Sequence, residues 1–592
     1  MQYNQINNII NIGFYSIYPE MAGVNMIKIP YGMSNFQKLR EEEYLYIDKT
    51  HFIESLEENY NYLSFLRPRR FGKSLLISTL SYYYDEYYAD IWDNLFKDTY
   101  IGKNPTKFKS GYRILFLEFS GISTQSTETI YEDFNSKIDI LLERYLKKYK
   151  YDLELVKKIH NKKSPQKKLE SFFEIVQDDR IYILIDEYDN FANAILGENM
   201  EVFKEILKKG GFVRSFYEII KTATQTGVAQ RVFITGVTPI TMDTMTSGFN
   251  IIKDITRDED FNELAGFNLN ETKEALNALF NVCSDINKEK LIKDMISLYN
   301  GYKFNLKAKN KIFNSTMVMY FILNFDTKRC EYPQELLDYN VASDYKKIMQ
   351  LFSIGDTEDN YLVLQELIKT NKTIATLKGR FDFDKNFRRD DFVTLLYSLG
   401  FITINDETFG LTEFIIPNHT IKGLYFDYFK IEIENRNQIK FKDLDIKKAI
   451  VELALNRNTK LLQDEIQEVI QLLSNRDFMK FDEKYLKIIT LMILNISKFY
   501  FIKSEPEYNH KYPDIMLLKQ EPFKTKFQFL FELKWAKRSI AGDWKAKRNE
   551  GIEQVKGYLK LKDIKEIEKI SPLFSYLIIA DGEKVEIVEV KS

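Results

Sequence analysis

The chain has 592 residues, 44% of them apolar and 15% aromatic, which exceeds what one hydrophobic core serves and points to a soluble protein of three or four domains. A formal charge of −2 excludes a global basic field, so any contact with nucleic acid has to come from local patches. No apolar run reaches membrane-spanning length and the N-terminus lacks a basic-then-apolar signal pattern, so no membrane partner is expected and the expected site is cytoplasmic or another intracellular compartment.

Tyr62 to Leu66 is an apolar run leading into Arg67-Pro68-Arg69-Arg70-Phe71-Gly72-Lys73-Ser74, after which Leu75-Leu76-Ile77 opens a helical pattern. Such a loop can surround phosphates with backbone N–H groups and a helix N-terminus, while Lys reaches the β/γ oxygens and a Ser hydroxyl helps hold Mg²⁺. On this reading Arg69, Arg70, Phe71, Gly72, Lys73 and Ser74 form a Walker A loop for ATP, with Ser74 also a Mg²⁺ ligand. The pattern G-x-x-x-x-G-K-[ST] asks for glycine where Arg67 stands, and the competing reading is a basic strand-to-helix turn. Arg67 cannot cheaply take positive φ and Pro68 fixes its own, so an altered loop geometry is expected.

Ile181-Tyr182-Ile183-Leu184-Ile185 is a continuous apolar run, as in a parallel strand buried on both faces, and it ends in Asp186-Glu187-Tyr188-Asp189. As a Walker B candidate, Asp186 would hold the Mg²⁺ shell and Glu187 would polarise the attacking water. By itself the pattern is also that of a strand leaving the core into a solvated turn. A third strand, Arg231 to Ile234, ends in Thr235-Gly236-Val237-Thr238-Pro239, where Thr235 or Thr238 can serve as a γ-phosphate sensor. Arg214, Arg231 and Arg257 are arginine-finger candidates, with a surface salt bridge as the competing role of each.

Ile29-Pro30-Tyr31-Gly32, Tyr46-Ile47-Asp48-Lys49-Thr50, Leu66 to Ser74, Leu184 to Asp189 and Ile234 to Pro239 together resemble the predicted AAA-ATPase-like family over residues 28 to 270. In that family the basic Arg-Pro-Arg-Arg-Phe-Gly-Lys-Ser loop is the usual form. The resemblance implies an α/β multidomain protein with a P-loop NTPase-type parallel sheet, ATP and Mg²⁺ as ligands, and a C-terminal PD-(D/E)xK nuclease-like α/β domain. Residues 1–27 form an N-terminal extension, 271–345 a helical lid region, 346–440 a winged-helix-like middle region and 441–592 the nuclease-like domain.

In the middle, Leu269 to Tyr299 is charged and amphipathic, as a helical lid would be. Phe392 to Leu399 reads as a helix closed by Gly400. Phe401 to Ile404 and Gly410 to Thr412 flank Asn405-Asp406-Glu407-Thr408-Phe409 as a hairpin. Without an evident basic recognition helix, this element is expected to pack between domains. Cys283 and Cys330 have no metal-type spacing and are expected as free thiols. His510 is expected in an exposed loop.

At the C-terminal end, Pro513-Asp514-Ile515 opens one short strand and Phe527 to Lys534 forms another that ends in Glu532-Leu533-Lys534. The resemblance implies that Asp514 and Glu532 are Mg²⁺ ligands and that Lys534 lies near the attacking water and scissile phosphate. Glu483, on a helix from Asp482 to Ile496, is a further candidate ligand, and whether it or Glu505 completes the metal shell is left open. A β-rich run from Phe499 to Lys503 follows, and Gln554 and Tyr558 share one helical face further on. Strands at Leu573 to Ala580 and Val585 to Val590 complete an expected α-β-β-β-α-β order. Lys534 to Lys565 carries ten Lys/Arg against four Asp/Glu with Trp535 and Trp544 between them, the best patch for DNA or RNA, with Lys537 and Arg538 as phosphate contacts. Solvated helical faces are the competing reading.

Two functions fit this sequence. One is an ATP-binding and ATP-hydrolysing protein coupled to a metal-dependent nuclease acting on nucleic acid. The other is a nucleotide-switched interaction protein with a catalytically silent nuclease-like fold. The sequence leaves the choice of DNA or RNA open, and the oligomeric state too, self-association included.

Overall fold

The computed structural model describes residues 27–58, 60–122, 126–190, 195, 211–239, 250–342, 354–379, 387–474 and 482–591. The N-terminal extension expected over 1–27 lies, apart from Ile27, outside the described residues.

The first sheet is built from β1 (Tyr62–Leu66), β2 (Arg113–Glu118), β3 (Ile181–Asp186), β4 (Ala229–Gly236) and the short β5 (Lys253–Asp254). All pairings are parallel and the order is β2-β3-β4-β1-β5. Every residue of β3 is buried, as the unbroken apolar run requires of a strand covered on both faces. Helices α1 (Lys73–Tyr84), α2 (Thr127–Lys148), α3 (Pro165–Ile175) and α4 (Phe212–Gln225) accompany it, α1 lying on β2 and β3, α2 on β2 and α4 on β4. Because β4 stands between β1 and β3, the ends of all three strands open onto one edge, where Leu66 pairs with Gly236 and Ile185 with Ile234.

The amphipathic stretch 269–299 forms two helices, α5 (Leu269–Phe280) and α6 (Lys288–Tyr299), separated where Asn281 caps the first and Asn287 the second. The expectation of free thiols is corrected here: Cys283, in that break, is disulfide-bonded to Cys330, with the Cα atoms 5.8 Å apart. Residues distant in sequence with no metal-type spacing gave no local sign of this pairing. Helix α7 (Ser315–Asn324) follows.

The middle region contains α8 (Thr357–Thr370), β6 (Lys372–Ala375), α9 (Arg389–Ser398), β7 (Thr403–Thr408) and β8 (Leu411–Ile415), with an antiparallel order β6-β8-β7. The expected five-residue hairpin loop is shorter. Strand β7 continues through Thr408, and Phe409 and Gly410, both at positive φ, make the turn. Such a pair is what a tight hairpin needs for its twist to match the strands.

After α10 (His419–Asn437), α11 (Asp443–Asn456), α12 (Lys460–Ser474) and α13 (Glu483–Asn495) comes the second sheet. It consists of β9 (Tyr500–Ser504), β10 (Ile515–Lys519), β11 (Gln528–Trp535), β12 (Leu573–Ala580) and β13 (Val585–Glu589), ordered β13-β12-β11-β10-β9. Only the β11–β12 pair is parallel. Two helices, α14 (Asp543–Leu559) and α15 (Lys562–Ile570), make that crossover where one was expected. Among the described residues no helix is long and apolar enough to cross a membrane.

Candidate functional sites

Loop 67–74 leaves β1 and enters α1 with Arg70 at φ 70° and Gly72 at φ 90°. The left-handed turn therefore falls after Arg67, and the missing glycine is not needed at that position. Arg67 is instead a buried clamp, donating to the carbonyls of Leu66 at 2.9 Å, Thr256 at 2.6 Å and Phe261 at 2.8 Å. Its guanidinium lies over Phe65 and Phe304. Phe71 is also core, packed edge-on against Tyr302, and its carbonyl accepts from Gly266 N at 2.8 Å. The loop is thus pinned at both ends while Arg69, Arg70, Gly72, Lys73 and Ser74 line a cleft of about 480 Å³. The facing wall comes from the N-terminal strap around Gly32 and Leu45, from Gly266, and from Thr316 and Met319 on α7.

Lys73 is buried and folds back, its Nζ donating to Arg67 O at 2.8 Å and Pro68 O at 2.9 Å. Burial pushes this amine down to about 8, against the opposing pull of Asp186, Asp189 and Glu187. An anion entering the cleft would push this value back up.

Asp186 closes β3 and accepts from Thr235 Oγ1 at 2.6 Å. Glu187 follows at φ 52°, with Asn190 Nδ2 donating to its Oε2 at 3.1 Å. Burial and the adjacent Asp186 charge raise its carboxyl above the usual range. Asn190 Oδ1 in turn accepts from Arg69 at 3.3 Å, joining the strand-end acids to loop 67–74. Glu187 and Asn190 both line the cleft.

Four sensor and finger candidates are engaged elsewhere. Thr238 is engaged structurally, its N and Oγ1 both donating to buried Asp189, at 2.7 and 2.9 Å. Arg231 lies near the start of β4, four residues and about 13 Å of extended chain from Thr235, and donates to Glu57 O at 3.3 Å. Arg214 pairs with Glu218 one turn along α4. Arg257 lines a separate small pocket beside Pro68 and Lys378, away from the cleft.

The second cluster gathers on β11 and its neighbours. Ile515 pairs with Phe531, so Asp514, just before β10, comes beside the Glu532–Lys534 stretch and its Oδ2 accepts from Leu533 N at 2.8 Å. Lys534 Nζ donates to Glu532 Oε1 at 3.0 Å, Leu533 O at 3.1 Å and Glu483 Oε1 at 3.4 Å. Tyr558 OH donates to Glu532 Oε2 at 3.2 Å. Gln554, one turn earlier on α14, is exposed. Helix α14 comes this close because of Gly551, where a Cβ would lie 2.4 Å from Leu577 and 3.1 Å from Lys534 Cγ. Burial, and then the Asp514 charge, raise the Glu532 carboxyl. His510 is exposed in its turn, beside Glu507.

Among the described residues no group of three or more His, Cys, Asp or Glu side chains is placed to hold a metal ion. Protein donors hold these oxygens: Thr235 on Asp186, Leu533 N on Asp514 and Lys534 on Glu532 and Glu483. In kind, the donors fit Mg²⁺. Around Lys534 Nζ, Glu532, Glu483 and the Leu533 carbonyl already surround a cation with hard oxygens, and Ser74 and Asp186 offer the same chemistry in the first cleft.

Sequence reasoning missed Lys487. It is buried on α13 one turn after Glu483, and its Nζ lies 2.5 Å from Glu505 Oε1 and 3.6 Å from Asp514 Oδ1. The four-residue spacing from Glu483 was the available signal. Part of the basic patch 534–565 is paired with acids: Arg538 with Asp581 and Glu583, Lys547 with Glu550, Arg548 with Glu586 and Lys556 with Glu553.

The family described as predicted AAA-ATPase matches residues 30–246, and the PD-(D/E)XK nuclease superfamily matches residues 481–590. The chain is also 25% identical over 364 residues to an uncharacterized protein in the vnfD 5′ region of Azotobacter chroococcum mcd 1. That match covers 57% of this chain and 63% of the relative, so the chain spans less than two thirds of the relative's length. One cleft at the edge of a parallel sheet and one acid–lysine cluster on a mixed sheet thus belong to two recognisable units: this chain joins a domain of the predicted AAA-ATPase family to a domain of the PD-(D/E)XK nuclease superfamily.

Proposed function

We propose that this protein binds and hydrolyses ATP and that nucleotide state governs a metal-dependent nuclease acting on nucleic acid. The observation that carries the reading is the shared edge of β1, β3 and β4, where Lys73, Asp186, Glu187 and Thr235 converge beside a cleft of nucleotide size. In this Walker A and Walker B arrangement, the backbone of residues 69–74 cradles the phosphates and Lys73 leaves its carbonyl partners to meet the β/γ oxygens. Glu187, oriented by Asn190, accepts a proton from the attacking water. Ser74 and Asp186 are the residues that would hold Mg²⁺, which would supply charge neutralisation at the phosphates.

At the second centre, Asp514 and Glu532 with Glu483 are the residues that would hold Mg²⁺, whose chemistry is to polarise a phosphoryl oxygen and acidify a bound water. Lys534 stabilises charge on the scissile phosphate, and Tyr558 orients Glu532. The helix and hairpin of α9, β7 and β8 act as a winged-helix-like packing element between the two units.

A hydrogen-bonded route supports coupling. Arg70 O accepts from Thr316 N at 3.3 Å at the start of α7, Asn314 N donates to Tyr299 O at 3.2 Å, and Leu298 O and Asn300 O accept from Thr420 and Asn418 at the start of α10. Helix α10 packs on α13, the helix of Glu483 and Lys487. The competing reading, a nucleotide-switched interaction protein, is favoured by the lysine-occupied carboxylates of the second cluster.

Full-length protein incubated with single- and double-stranded DNA and RNA, with Mg²⁺ or Mn²⁺ and with or without ATP, decides between them. The nuclease reading expects metal-dependent cleavage that Asp514→Ala and Glu532→Ala abolish. No cleavage of any substrate under all conditions would replace it with the interaction protein.

A further inference from the structure

Helices α5 and α7 turn their starts towards the first cleft. Glu271, in the first turn of α5, accepts from Lys49 Nζ at 2.7 Å, and Lys49 lines the cleft, as do Ser315, Thr316 and Met319 of α7. The two helices pack on one another and extend about 15–18 Å to their far ends. There the Cys283–Cys330 disulfide joins the break between α5 and α6 to a hairpin that follows α7. In that hairpin Asp326 and Glu331 exchange backbone hydrogen bonds at 3.0 and 3.1 Å, and Tyr332 OH beyond it donates to Asp294 Oδ2 of α6 at 2.9 Å.

The same platform meets the C-terminal unit. Residues 520–527 join β10 to β11, the strands that set Asp514 beside Glu532 and Lys534. From this connection Lys524 Nζ donates to Glu331 Oε1 at 3.1 Å, one residue beyond Cys330, and Glu521 Oε1 accepts from Lys290 Nζ of α6 at 3.1 Å. Both are surface pairs, the Lys524 side chain being 84% exposed, and each shifts an opening equilibrium by no more than about fivefold. Contacts so weak hold only while their partners on the platform are kept in place, and the disulfide keeps them there by tying the hairpin to the helix break. Cys283 is buried, whereas Cys330 is only half-buried, after the exposed Lys328 and Arg329 and next to the Lys524–Glu331 pair. Cys330 Sγ is therefore the sulfur open to an incoming thiolate, in basic surroundings that favour one.

We infer that Cys283–Cys330 is a thiol–disulfide switch that sets how firmly the C-terminal unit is held against the helices of the first cleft. A dithiol reductant attacks Cys330 Sγ as its thiolate, the Cys283–Cys330 bond breaks, and Cys283 leaves as a thiolate that takes up a proton. The second thiolate of the reductant then attacks the reductant sulfur of the mixed disulfide and releases Cys330, which is protonated in turn. Two electrons and the two thiol protons of the reductant pass to the protein, and the reductant ends as a disulfide. The freed hairpin no longer fixes Glu331, and residues 520–527 loosen with it.

Full-length protein equilibrated without denaturant at graded ratios of dithiothreitol to its oxidised form tests this, with thiols counted by maleimide mass tagging and backbone opening followed by hydrogen exchange. Two thiols are expected to appear and to disappear again on reoxidation. Exchange over 325–332 and 520–527 is expected to rise together, at 520–527 by about threefold to fivefold, while β3 and α1 keep their rates. The Cys283→Ser/Cys330→Ser protein should match reduced wild type without any reductant. Glu331→Ala should bring 520–527 close to the reduced rate in either redox state. A disulfide that resists dithiothreitol until the protein is denatured overturns the inference. So does faster exchange confined to 325–332, which marks a staple with no hold on the C-terminal unit. Neither result bears on ATP hydrolysis or on cleavage, which the assay does not use.

Discussion

Replacing Lys73 with methionine tests the first cleft most directly, because the apolar stem is kept and only the ammonium is lost. For ATP to be gripped, Nζ must leave Arg67 O and Pro68 O, at about 1 kcal/mol each. It gains about 4 kcal/mol from a phosphate charge at an effective dielectric near 20. The net of about 2 kcal/mol makes ATP binding to Lys73→Met about thirtyfold weaker. Turnover should fall further, by about a thousandfold, since charge builds on the phosphates in the transition state.

The same amine sets a pH dependence. Its folded value of about 8 is below the ordinary 10.5, so between these values the unfolded chain binds more protons and wild-type stability rises with pH. Below that window the buried ammonium costs about 3 kcal/mol, more than its two hydrogen bonds return. Lys73→Met should therefore melt no lower than wild type at pH 7 and should lack the alkaline rise. ATP affinity of the wild type, measured by calorimetry, should weaken about fivefold from pH 8 to pH 9 as the free amine deprotonates. Wild-type ATP affinity in Lys73→Met, or an affinity flat across pH 8 to 9, would refute the assignment.

Glu187→Gln keeps the hydrogen bond to Asn190 but removes the proton acceptor, so ATP binding should persist while phosphate release falls at least about a hundredfold in a steady-state assay. Gly551→Ala forces a Cβ to 2.4 Å from Leu577 and should cost about 1–3 kcal/mol in denaturant melts, with metal-dependent cleavage impaired because Lys534 moves too. Asp514→Asn removes the charge that, after burial, most raises the Glu532 carboxyl, so the titration of Glu532 followed by infrared or NMR should shift to lower pH. In the wild type, metal uptake should strengthen as pH rises through the elevated Glu532 value, because the protonated carboxyl is no ligand.

Local pattern determined much of this protein. The buried run Ile181 to Ile185, the loop to Ser74 with its following helix, and the Glu532-Leu533-Lys534 strand are all dictated by neighbours a few residues away, and each forms where the sequence indicates. What the tertiary structure decided are pairings between distant segments, for which a lone chain carries no period or spacing. Arg67 looked like a defect in a glycine pattern, yet its guanidinium reaches Thr256 and Phe261, which only the fold brings near. Arg231 and Thr235 share one strand, but strand direction leaves only Thr235 at the edge with Asp186. Cys283 meets Cys330 across a helix break, and Lys487 reaches Glu505 and Asp514 through the packing of α13 against β9 and β11. Charge makes the last point general: which lysine neutralises which carboxylate depends on separations of a few ångströms, and those are set by packing rather than by order along the chain.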